Sequence, residues 1–541
     1  MTRCPYPILG AVALALGLTA CQGCRSSAAP PGNIRSTADD VGPPTMRLYF
    51  LTDLAGALEP CGCTEDQLGG LDHFGAWVRR ERTHAPEAVT ASAGPLFFMD
   101  ERLEGDRAAQ DRTKAETIAR VLRRLEFVAF SPGANDWADG SPALAKLAEV
   151  SGATVVLGEP ELSPPFAPYV VRDVGTVRVG FVGVGQRPAG ASTPNPEQAV
   201  QRGVDAAKRL GANVLVALSA VGRGEAKRIA DAVPELTAVV VGAVKSDGDA
   251  NTSAPQPEQV GGVLVVQAAN HLQSVAVLDL FVREPVTPGR VIRFADASGL
   301  ELSRKREDLT VRIDELHTKI AAWQRDRSVA PSDVDARKRE LATLESQRDA
   351  LDARPPPAHG SFFRYALKEI RESLGKDPTI DGDMLTYYKS VDEHNRVAFA
   401  DRSPAPAGAN QASYVGIDAC TRCHAAPRAV WKGTLHARAY ETLASQFKEY
   451  NLECVGCHVT GYERPGGSTV THVEGLRDVQ CEVCHGPGSK HVLNPSDAAA
   501  IVAKPSPDGC LACHHPPHVE GFDPAIKMRE ILGPGHGMPL K

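Results

Sequence analysis

The sequence is poor in aromatic residues, in long apolar runs and in clusters of one charge. Aromatic residues make up 5% of the 541 residues, and the formal net charge is only −7 at pH 7. Since there is no long basic run, nothing favours a nucleic acid as partner. The apolar stretch at residues 7–20 is too short and too rich in small residues for a convincing membrane span. The length itself predicts two or more domains.

The first 20 residues are typical of a secretory signal peptide, with Arg3 as the positive end. Leu18-Thr19-Ala20-Cys21 resembles a bacterial lipobox, which implies that Cys21 is lipidated and becomes the mature N-terminus. An ordinary secretory signal that contains a cysteine is the alternative. Residues 21–45, rich in Ser, Ala, Pro and Gly, are expected to be a flexible tether. We therefore expect a cell-envelope protein, lipid-anchored on the periplasmic side or at the outer membrane.

The pentad C-x-x-C-H occurs four times, and all four copies lie in the last quarter of the chain. This spacing is the attachment signature of c-type haem. Each cysteine binds one vinyl group of the porphyrin, and the histidine behind them is the proximal ligand of the iron. The sequence therefore predicts four covalently bound haems. The copies are Cys420-Thr-Arg-Cys423-His424, Cys454-Val-Gly-Cys457-His458, Cys481-Glu-Val-Cys484-His485 and Cys510-Leu-Ala-Cys513-His514.

Two other interpretations of the pentads are weaker. A zinc ribbon pairs C-x-x-C units but has no use for a histidine directly behind each of them. A thioredoxin-like C-x-x-C begins a helix in a βαβ unit and would not repeat four times. Covalent haem also agrees with export, because c-type haem is attached outside the cytoplasm.

Residues 46–302 alternate strand-like and helix-like segments between glycines and prolines. The predicted strands include residues 47–52, 95–99, 154–157, 178–184, 213–218, 238–241, 262–267 and 274–282. Helical patterns cover residues 108–125 and 204–210. Short β-rich runs with helices between them indicate an α/β layered domain, here a sandwich.

Asp53 follows the first predicted strand, Asp100 follows the predicted strand at residues 95–99, and Asn135 and Asp136 come after a glycine and an alanine. With these residues the α/β region resembles the calcineurin-like metallophosphoesterases of the periplasmic 5'-nucleotidase type. The resemblance places Asp53 in the first metal motif, Asp100 at the bridging aspartate and Asn135 in the asparagine motif, with Asp136 in place of the catalytic histidine. We interpret the first three as a vestigial phosphoesterase metal site.

Most imidazole ligands of that family are missing from this sequence. Alanines occupy three of their places, at Ala55, Ala220 and Ala243. A two-metal phosphoesterase needs a filled ligand set to hold its ions against the attacking and leaving oxygens. The resemblance therefore implies a metallophosphoesterase-like fold that has lost hydrolysis.

Cys61 and Cys63 form a C-x-C pair in the loop after the first predicted strand. In an oxidising compartment such a pair can close a strained, easily reduced disulfide. A redox-active pair or a soft metal contact is the functional interpretation. A structural disulfide, which could include Cys24, or two idle thiols are the alternatives.

Residues 303–354 change to a helical periodicity with charged faces. The apolar stripe is regular over the first half, at Leu309, Ile313, Leu316, Ile320 and Trp323, and interrupted over the second. We expect an antiparallel helical hairpin that acts as a spacer, with a dimerising coiled coil as the alternative. Residues 355–412 are expected to hold an amphipathic helix at 362–374 and a linker.

Residues 413–541 form the predicted haem region. Four haems in so short a segment leave little room for a conventional apolar core, so we expect a mostly helical or irregular structure. Rapid electron transfer at low potential favours a second imidazole on each iron. The spare histidines of this region are His436, His472, His491, His515, His518 and His536.

This region resembles the cytochrome c-554 family of tetrahaem electron carriers. The resemblance rests on five stretches around the pentads, at residues 414–416, 431–436, 457–462, 484–491 and 533–537. It implies His436, His491 and His536 as distal ligands and leaves the second haem without one. His472 or His518 could fill that place here.

The sequence therefore predicts an exported tetrahaem c-type cytochrome that transfers electrons between redox proteins of the cell envelope. The alternative is a multihaem oxidoreductase that acts on a small nitrogen or sulfur compound at a haem with an open axial site. A metal-dependent phosphohydrolase is disfavoured because most metal-binding histidines of the metallophosphoesterases are missing from this sequence. The oligomeric state and the ligand of the α/β region stay open.

Overall fold

The structure is a computed structural model that describes residues 42–60, 66–103, 105–159, 162–188, 191, 194–246, 248, 250–325, 330–349, 351, 357–515, 518–519 and 521–538. The predicted signal peptide, Cys21 and most of the tether lie outside the described residues. The pair Cys61 and Cys63 also lies outside them.

Two β-sheets face each other at the centre of the α/β body. The first begins with β1 (Met46–Thr52), β2 (Ala88–Gly94), β3 (Phe127–Pro132), β4 (Thr154–Val156) and β5 (Phe166–Ala167). The second consists of β6 (Tyr169–Val174), β7 (Val177–Val184), β8 (Val214–Ser219), β9 (Ala238–Val241), β10 (Glu258–Val260) and β11 (Val263–Val266). The chain then returns to the first sheet as β12 (Ser274–Phe281), β13 (Ala295–Asp296) and β14 (Phe362–Glu369).

The strand order is β13-β14-β12-β1-β2-β3-β4-β5 in the first sheet and β10-β11-β9-β8-β7-β6 in the second. Strands β1 to β5 are parallel to one another, and β12 joins β1 antiparallel. The carboxyl ends of β1 to β5 therefore meet at one edge, where open α/β sheets usually carry their ligands.

Helices cover the outer face of each sheet. The first sheet is covered by α1 (Leu71–Glu81), α2 (Ala108–Arg124) and α3 (Gly140–Ser151), and the second by α4 (Pro196–Arg209) and α5 (Arg223–Ala232). Apolar side chains of both sheets, such as Leu48, Phe181 and Leu278, fill the layer between them. The predicted α/β layered sandwich is thus confirmed.

The predicted strand at residues 95–99 is wrong. The strand is β2, which ends at Gly94, and the apolar residues after it are buried in a loop, with Leu96, Phe97 and Phe98 at most 3% exposed. The Leu96 and Phe97 N–H groups donate to the carboxylate of Asp136 at 2.9 and 2.8 Å. A side chain therefore supplies the partners that a neighbouring strand would otherwise give.

Helices α6 (Leu300–Arg325) and α7 (Pro331–Asp349) are inserted between β13 and β14. They share a small apolar cluster that is separate from the sandwich, with Ile313 and Ile320 among its members. The helices run antiparallel, because His317 lies 3.4 Å from Glu345 and the guanidinium of Arg337 lies 5.8 Å from the ring centre of Trp323.

The predicted helix at residues 362–374 is also wrong, because most of it is β14. This strand pairs antiparallel with β12 along its whole length, from Phe362 opposite Phe281 to Glu369 opposite Ser274. The rings of Phe281 and Phe362 stack with their centroids 4.5 Å apart. Pairing with the edge of a buried sheet overrides the helical spacing of the side chains.

The remaining helices lie in the C-terminal third of the chain. Helix α8 (Pro378–Ala398) packs on the outer layer of the first sheet, where Ile380 and Tyr387 join its core. It is followed by α9 (Ile417–Thr421), α10 (Ala425–Lys432), α11 (Ala439–Ala444), α12 (Val455–His458), α13 (Cys481–His485), α14 (Ser489–Leu493) and α15 (Pro524–Ile531). In the described part of the region after residue 412, β-pairing is limited to isolated bridges such as Val459 with Arg477. Among the described helices of the whole chain, each is too short or too polar to cross a membrane.

Candidate haem centre and its junction with the α/β body

Each pentad is built on a single turn of helix or a 3-10 turn. In the first pentad the N–H groups of Cys423 and His424 donate to the Cys420 carbonyl oxygen at 3.3 and 3.0 Å. In the fourth, the His514 N–H donates to the Cys510 carbonyl oxygen at 2.9 Å. Residues three apart on one turn lie on the same face, so both cysteine sulfurs of a pentad can reach one edge of a porphyrin.

Three of the four pentad histidines face a second imidazole. The ring centroids are 6.3 Å apart for His424 and His491, 6.2 Å for His485 and His536, and 6.1 Å for His514 and His436. Two metal–nitrogen bonds of about 2 Å, with each nitrogen about 1 Å from its ring centre, separate two imidazoles on one metal by roughly 6 Å. These residues therefore fit a haem iron between each pair.

Local contacts favour the metal-binding form of these rings. Nδ1 of His485 lies 2.7 Å from the Val502 carbonyl oxygen, which leaves Nε2 for a metal. Burial lowers the pKa of His436, His514 and His536. A lowered pKa favours the neutral imidazole, and that is the form that binds metals.

His458 of the second pentad differs from the other three. Its Nδ1 lies 2.6 Å from the Ala439 carbonyl oxygen, so its Nε2 is also left for a metal. No second imidazole faces its ring within the described residues.

The two weaker distal candidates have other neighbours. His472 has its Nδ1 3.1 Å from the Thr471 hydroxyl and its Nε2 3.5 Å from the Ser403 hydroxyl. The ring of His518 meets that of His515 edge-on, with the centroids 5.1 Å apart. The structure thus brings His436, His491 and His536, but neither of these two, opposite a pentad histidine.

The attachment cysteines lie in two neighbouring pairs. Cys420 lies within side-chain hydrogen-bond distance of Cys481, and Cys457 within that distance of Cys513. These hydrogen bonds lower the pKa of Cys481 and of Cys457 to about 7. The first pentad is therefore adjacent to the third, and the second to the fourth.

A buried polar network joins the second pentad to the α/β body. Nζ of Lys114, on α2, donates to the Glu453 carboxylate at 2.6 Å. Nε2 of Gln110, one turn earlier on α2, donates to Oδ1 of Asn451 at 3.0 Å. Because Glu453 directly precedes Cys454, the body holds the chain at the second attachment point.

Helix α8 completes this network. Nδ2 of Asn395 donates to Oε1 of Gln110 at 3.1 Å and to the Tyr450 carbonyl oxygen at 2.9 Å. Gln110, Asn395 and Asn451 are each at most 2% exposed. None of these residues belongs to a sequence motif, and the only signal is that Gln110 and Asn395 are polar side chains on the buried faces of α2 and α8.

Backbone N–H groups bond the carboxylates of Asp53, which belongs to the predicted vestigial metal site, and of the neighbouring Asp136. Oδ1 of Asp53 accepts the Ala243 N–H at 2.7 Å. The Asp136 carboxylate accepts the Gly133 N–H at 3.0 Å in addition to its two bonds in the loop after β2. Burial raises the pKa of Asp53 and of Asp136 to about 7.

The other two residues of that site point to different partners. Asp100 pairs with Arg107 at 2.5 Å, and Asn135 bonds the Met99 carbonyl oxygen and, at 3.0 Å, the Ser246 N–H. Gly94, at the end of β2, passes so close to Asp53 that a Cβ there would lie 1.9 Å from its Oδ1. Among the described residues, no three His, Cys, Asp or Glu side chains lie together as a metal site.

The pentad helices and their paired imidazoles define a c-type cytochrome region attached to an α/β sandwich. Residues 419–486 match the family described as "Cytochrome c554 and c-prime". Cytochrome c-554 from Nitrosomonas europaea is 36% identical over 15% of this chain and 41% of its own length. The predicted resemblance of this region to cytochrome c-554 is confirmed, and the match implies covalently bound c-type haem. The chain spans less than half the length of that relative.

Solved structures similar to this chain include hydrolases of the type that the sequence resembles. A 5'-nucleotidase precursor from Thermus thermophilus is 18% identical, with a TM-score of 0.41 over 77% of this chain and 69% of its own. The sulfate thiohydrolase SoxB of Thermus thermophilus is 17% identical, with a TM-score of 0.37 over 45% and 55%. The calcineurin-like phosphoesterase YfkN from Bacillus subtilis is 16% identical, with a TM-score of 0.36 over 44% and 86%.

Proposed function

We propose that this protein is an exported tetrahaem cytochrome that carries electrons between redox proteins of the cell envelope. The observation that carries the proposal is the set of three imidazole pairs, each at a separation that suits a six-coordinate iron. The four pentads of the sequence supply attachment points for four haems. When bound, the haems supply the one-electron Fe(III)/Fe(II) couple.

The chain itself contributes attachment and orientation. The eight pentad cysteines would hold the porphyrins through thioether bonds, and His424, His458, His485 and His514 would be the proximal ligands. The contacts between Cys420 and Cys481 and between Cys457 and Cys513 support neighbouring attachment of the haems within each pair. Short separations between attachment points favour electron transfer within the protein.

The second haem is proposed to lack a distal histidine. The resemblance to cytochrome c-554 supports this, and within the described residues no imidazole is paired with His458. His472 has polar neighbours, whereas His518 lies beside Glu453 and Cys454 and is the alternative distal ligand. An iron with an open axial position can bind a small molecule. The same observation favours the alternative function, an oxidoreductase that acts on a small nitrogen or sulfur compound at this iron.

The location in the envelope and its partners are proposed from the N-terminal sequence. The signal peptide pattern and the lipobox-like residues before Cys21 support export and a lipid anchor. A lipid-anchored cytochrome would exchange electrons with other redox proteins at the same membrane surface.

We also propose that the α/β body has lost phosphoester hydrolysis. Asp136 stands where the catalytic histidine of the resembling family would be, and three backbone N–H groups hold its carboxylate. The buried alanines Ala55 and Ala220 offer no metal ligand.

The proposal is tested by the spectra of the full chain matured with haem. We expect four haems per chain by pyridine haemochrome assay, three low-spin and one high-spin by electron paramagnetic resonance, and carbon monoxide binding by the reduced high-spin haem. Fewer than four haems would contradict the tetrahaem assignment. Four low-spin haems that ignore carbon monoxide would show that the second iron has a protein ligand, and the oxidoreductase alternative would then fail.

A further inference from the structure

The carboxylate of Glu482, inside the third pentad, binds the segments on either side of it. The side chain is 2% exposed. Its oxygens accept the N–H groups of Val415 at 3.0 Å, Gly416 at 2.8 Å and Gly488 at 2.7 Å. The first two lead into α9, the helix of the first pentad, and Gly488 directly precedes α14, which carries His491. Glu482 therefore connects the third pentad to the first pentad and to the helix of a distal histidine.

This carboxylate adds a negative charge that no side-chain cation neutralises. All of its hydrogen bonds come from backbone N–H groups, and among the described residues no Lys, Arg or His forms an ion pair with it. The carboxylate of Glu453, beside the second pentad, is in contrast paired with Lys114 at 2.6 Å. The other three pentads have an uncharged residue directly behind their first cysteine, namely Thr421, Val455 or Leu511.

The charge lies beside the attachment points of two haems. Glu482 directly follows Cys481, which lies within side-chain hydrogen-bond distance of Cys420 in the first pentad. The contact between the two thiols has the largest effect on their pKa values, but the charge of Glu482 reaches both and raises the pKa of each. The guanidinium of Arg428 acts on Cys481 in the opposite direction, and its effect is smaller. Glu482 therefore acts electrostatically on the attachment points of the first and third haems.

A buried negative charge favours the oxidised state of a nearby haem. Ferric iron carries one positive charge more than ferrous iron, so a carboxylate stabilises the ferric form more and lowers the reduction potential. Because the Glu482 side chain is almost completely removed from water, solvent and salt screen its charge only weakly.

We propose that Glu482 is a positioning residue that lowers the reduction potentials of the first and third haems and so makes both of them stronger electron donors. The backbone N–H groups fix the place of the charge, and the same bonds hold the two attachment segments together. The inference rests on the proposed attachment of haems to the first and third pentads. It deepens the proposed electron transfer, because it names the residue that adjusts the driving force for electrons that leave these two haems.

The charge is tested by potentiometric titration of the full chain loaded with haem, followed by optical and electron paramagnetic resonance spectra. Glu482→Gln keeps the size of the side chain and removes its charge. We expect two haems to move to more positive potentials, with a change of about tenfold or more in their ferric-to-ferrous equilibrium, or about 59 mV for a one-electron couple. The remaining haems should shift less, because they are attached further from this residue.

The matched control removes the same charge from the protein surface. Asp418 lies two residues before Cys420, and its side chain is 96% exposed. Water and salt screen such a charge, so Asp418→Asn should change each ferric-to-ferrous equilibrium by less than about threefold.

A second variant separates the charge from the hydrogen bonds. Glu482→Asp keeps the charge but withdraws the carboxylate by one methylene from the backbone N–H groups. Hydrogen exchange at Gly416 and Gly488 should become faster, whereas the ferric-to-ferrous equilibria should change by less than about threefold. If Glu482→Gln takes up fewer than four haems, this variant decides alone, since it keeps the charge that the proposal requires.

The outcomes separate this inference from the proposed function. Fewer than four haems in the wild-type chain would contradict the proposed function and this inference with it. Four haems with the same potentials in wild type and Glu482→Gln would leave the electron carrier intact and overturn the role of Glu482. An equal shift of all the haems in Glu482→Gln, or a tenfold shift in Glu482→Asp, would also overturn it. A positive shift of two haems in Glu482→Gln, with potentials retained in Glu482→Asp, supports it.

Discussion

The ion pair between Lys114 and Glu453 gives a quantitative prediction for the junction. Lys114→Met removes the ammonium group, keeps an unbranched apolar chain and leaves the carboxylate without its partner. Removing one member of a buried pair costs about 3–5 kcal/mol. The Lys114 side chain is 9% exposed but that of Glu453 is 26% exposed, so water can solvate the remaining carboxylate in part. We therefore expect the free energy of unfolding to fall by about 2–3 kcal/mol, between the buried and the surface values.

The effect should depend on pH. Burial alone would raise the pKa of Glu453, but the ammonium of Lys114 outweighs it, and the pKa is lowered. A lowered carboxyl pKa contributes stability that is complete above the unfolded value of about 4.3 and is lost as the pH falls through the lower, folded value. The difference between wild type and Lys114→Met should therefore shrink in acid.

The assay is urea unfolding of the haem-loaded chain, with Glu453→Gln and the double variant completing a thermodynamic cycle. Hydrogen exchange at Leu452, whose N–H donates to Gln110 at 3.1 Å, reports locally on the junction. The matched control is Lys146→Met, which breaks an exposed pair with Glu116 whose side chains are 64% and 39% exposed, and it should cost less than about 1 kcal/mol.

Two results of the unfolding assay would refute this reasoning about the junction. One is a Lys114→Met chain within about 0.5 kcal/mol of wild type, the range of ordinary surface substitutions. The other is a double variant destabilised by the sum of the two single effects, since residues in direct contact should be coupled. Unchanged exchange at Leu452 in Lys114→Met would also show that the pair does not hold the second pentad.

Three further predictions concern the irons and the vestigial site. His491→Ala should convert one low-spin haem to high-spin, whereas His472→Ala should leave the electron paramagnetic resonance spectrum unchanged; a spectral change only in the latter would contradict the distal assignment. Burial raises the pKa of Asp136 to about 7, so between about pH 4 and 7 this carboxyl binds more protons in the folded chain than in the unfolded chain. The free energy of unfolding should therefore fall as the pH rises across that window, and Asp136→Ala should make this fall less steep. Parallel curves of unfolding free energy against pH for the two chains would count against the prediction. Phosphatase assays with added divalent cations should give no metal-dependent turnover, and turnover that needs Asp53 would restore hydrolysis as a function.

The sequence predicts strands well where burial is continuous and side chains are large. Strands β7, β8 and β12 are runs of Val, Leu and Phe that the apolar pattern reveals directly. Strand β2 was missed because Ala88–Gly94 consists mainly of small residues. The more apolar residues 95–99 lie in a buried loop, where the Asp136 carboxylate accepts the N–H groups of Leu96 and Phe97. A side-chain contact between residues so far apart in the sequence has no local signal.

In the haem region, too, the local features could be predicted from the sequence and the contacts between distant residues could not. A pentad is readable because attachment needs its residues within one helical turn. Its distal imidazole comes from far along the chain, as His436 does for His514, and was predicted only through a family resemblance. The junction between the α/β body and the second pentad could not be predicted from the sequence, because Gln110 and Asn451 are 341 residues apart and neither belongs to a motif.

Helices α6 and α7 form an arm that is inserted between two strands of the first sheet, and such an arm is an exchangeable module. The chain leaves the sheet at Ser298 and re-enters beside it, since the hydroxyl of Ser298 accepts the Tyr365 N–H at 2.6 Å and the Ala297 N–H donates to the Phe363 carbonyl oxygen at 3.0 Å. Both ends are thus fixed by the sheet, whatever lies between them. An arm with its own apolar cluster can lengthen, shorten or be replaced by a short turn at little cost to the sandwich. The length of this arm can therefore change while the α/β body keeps its structure.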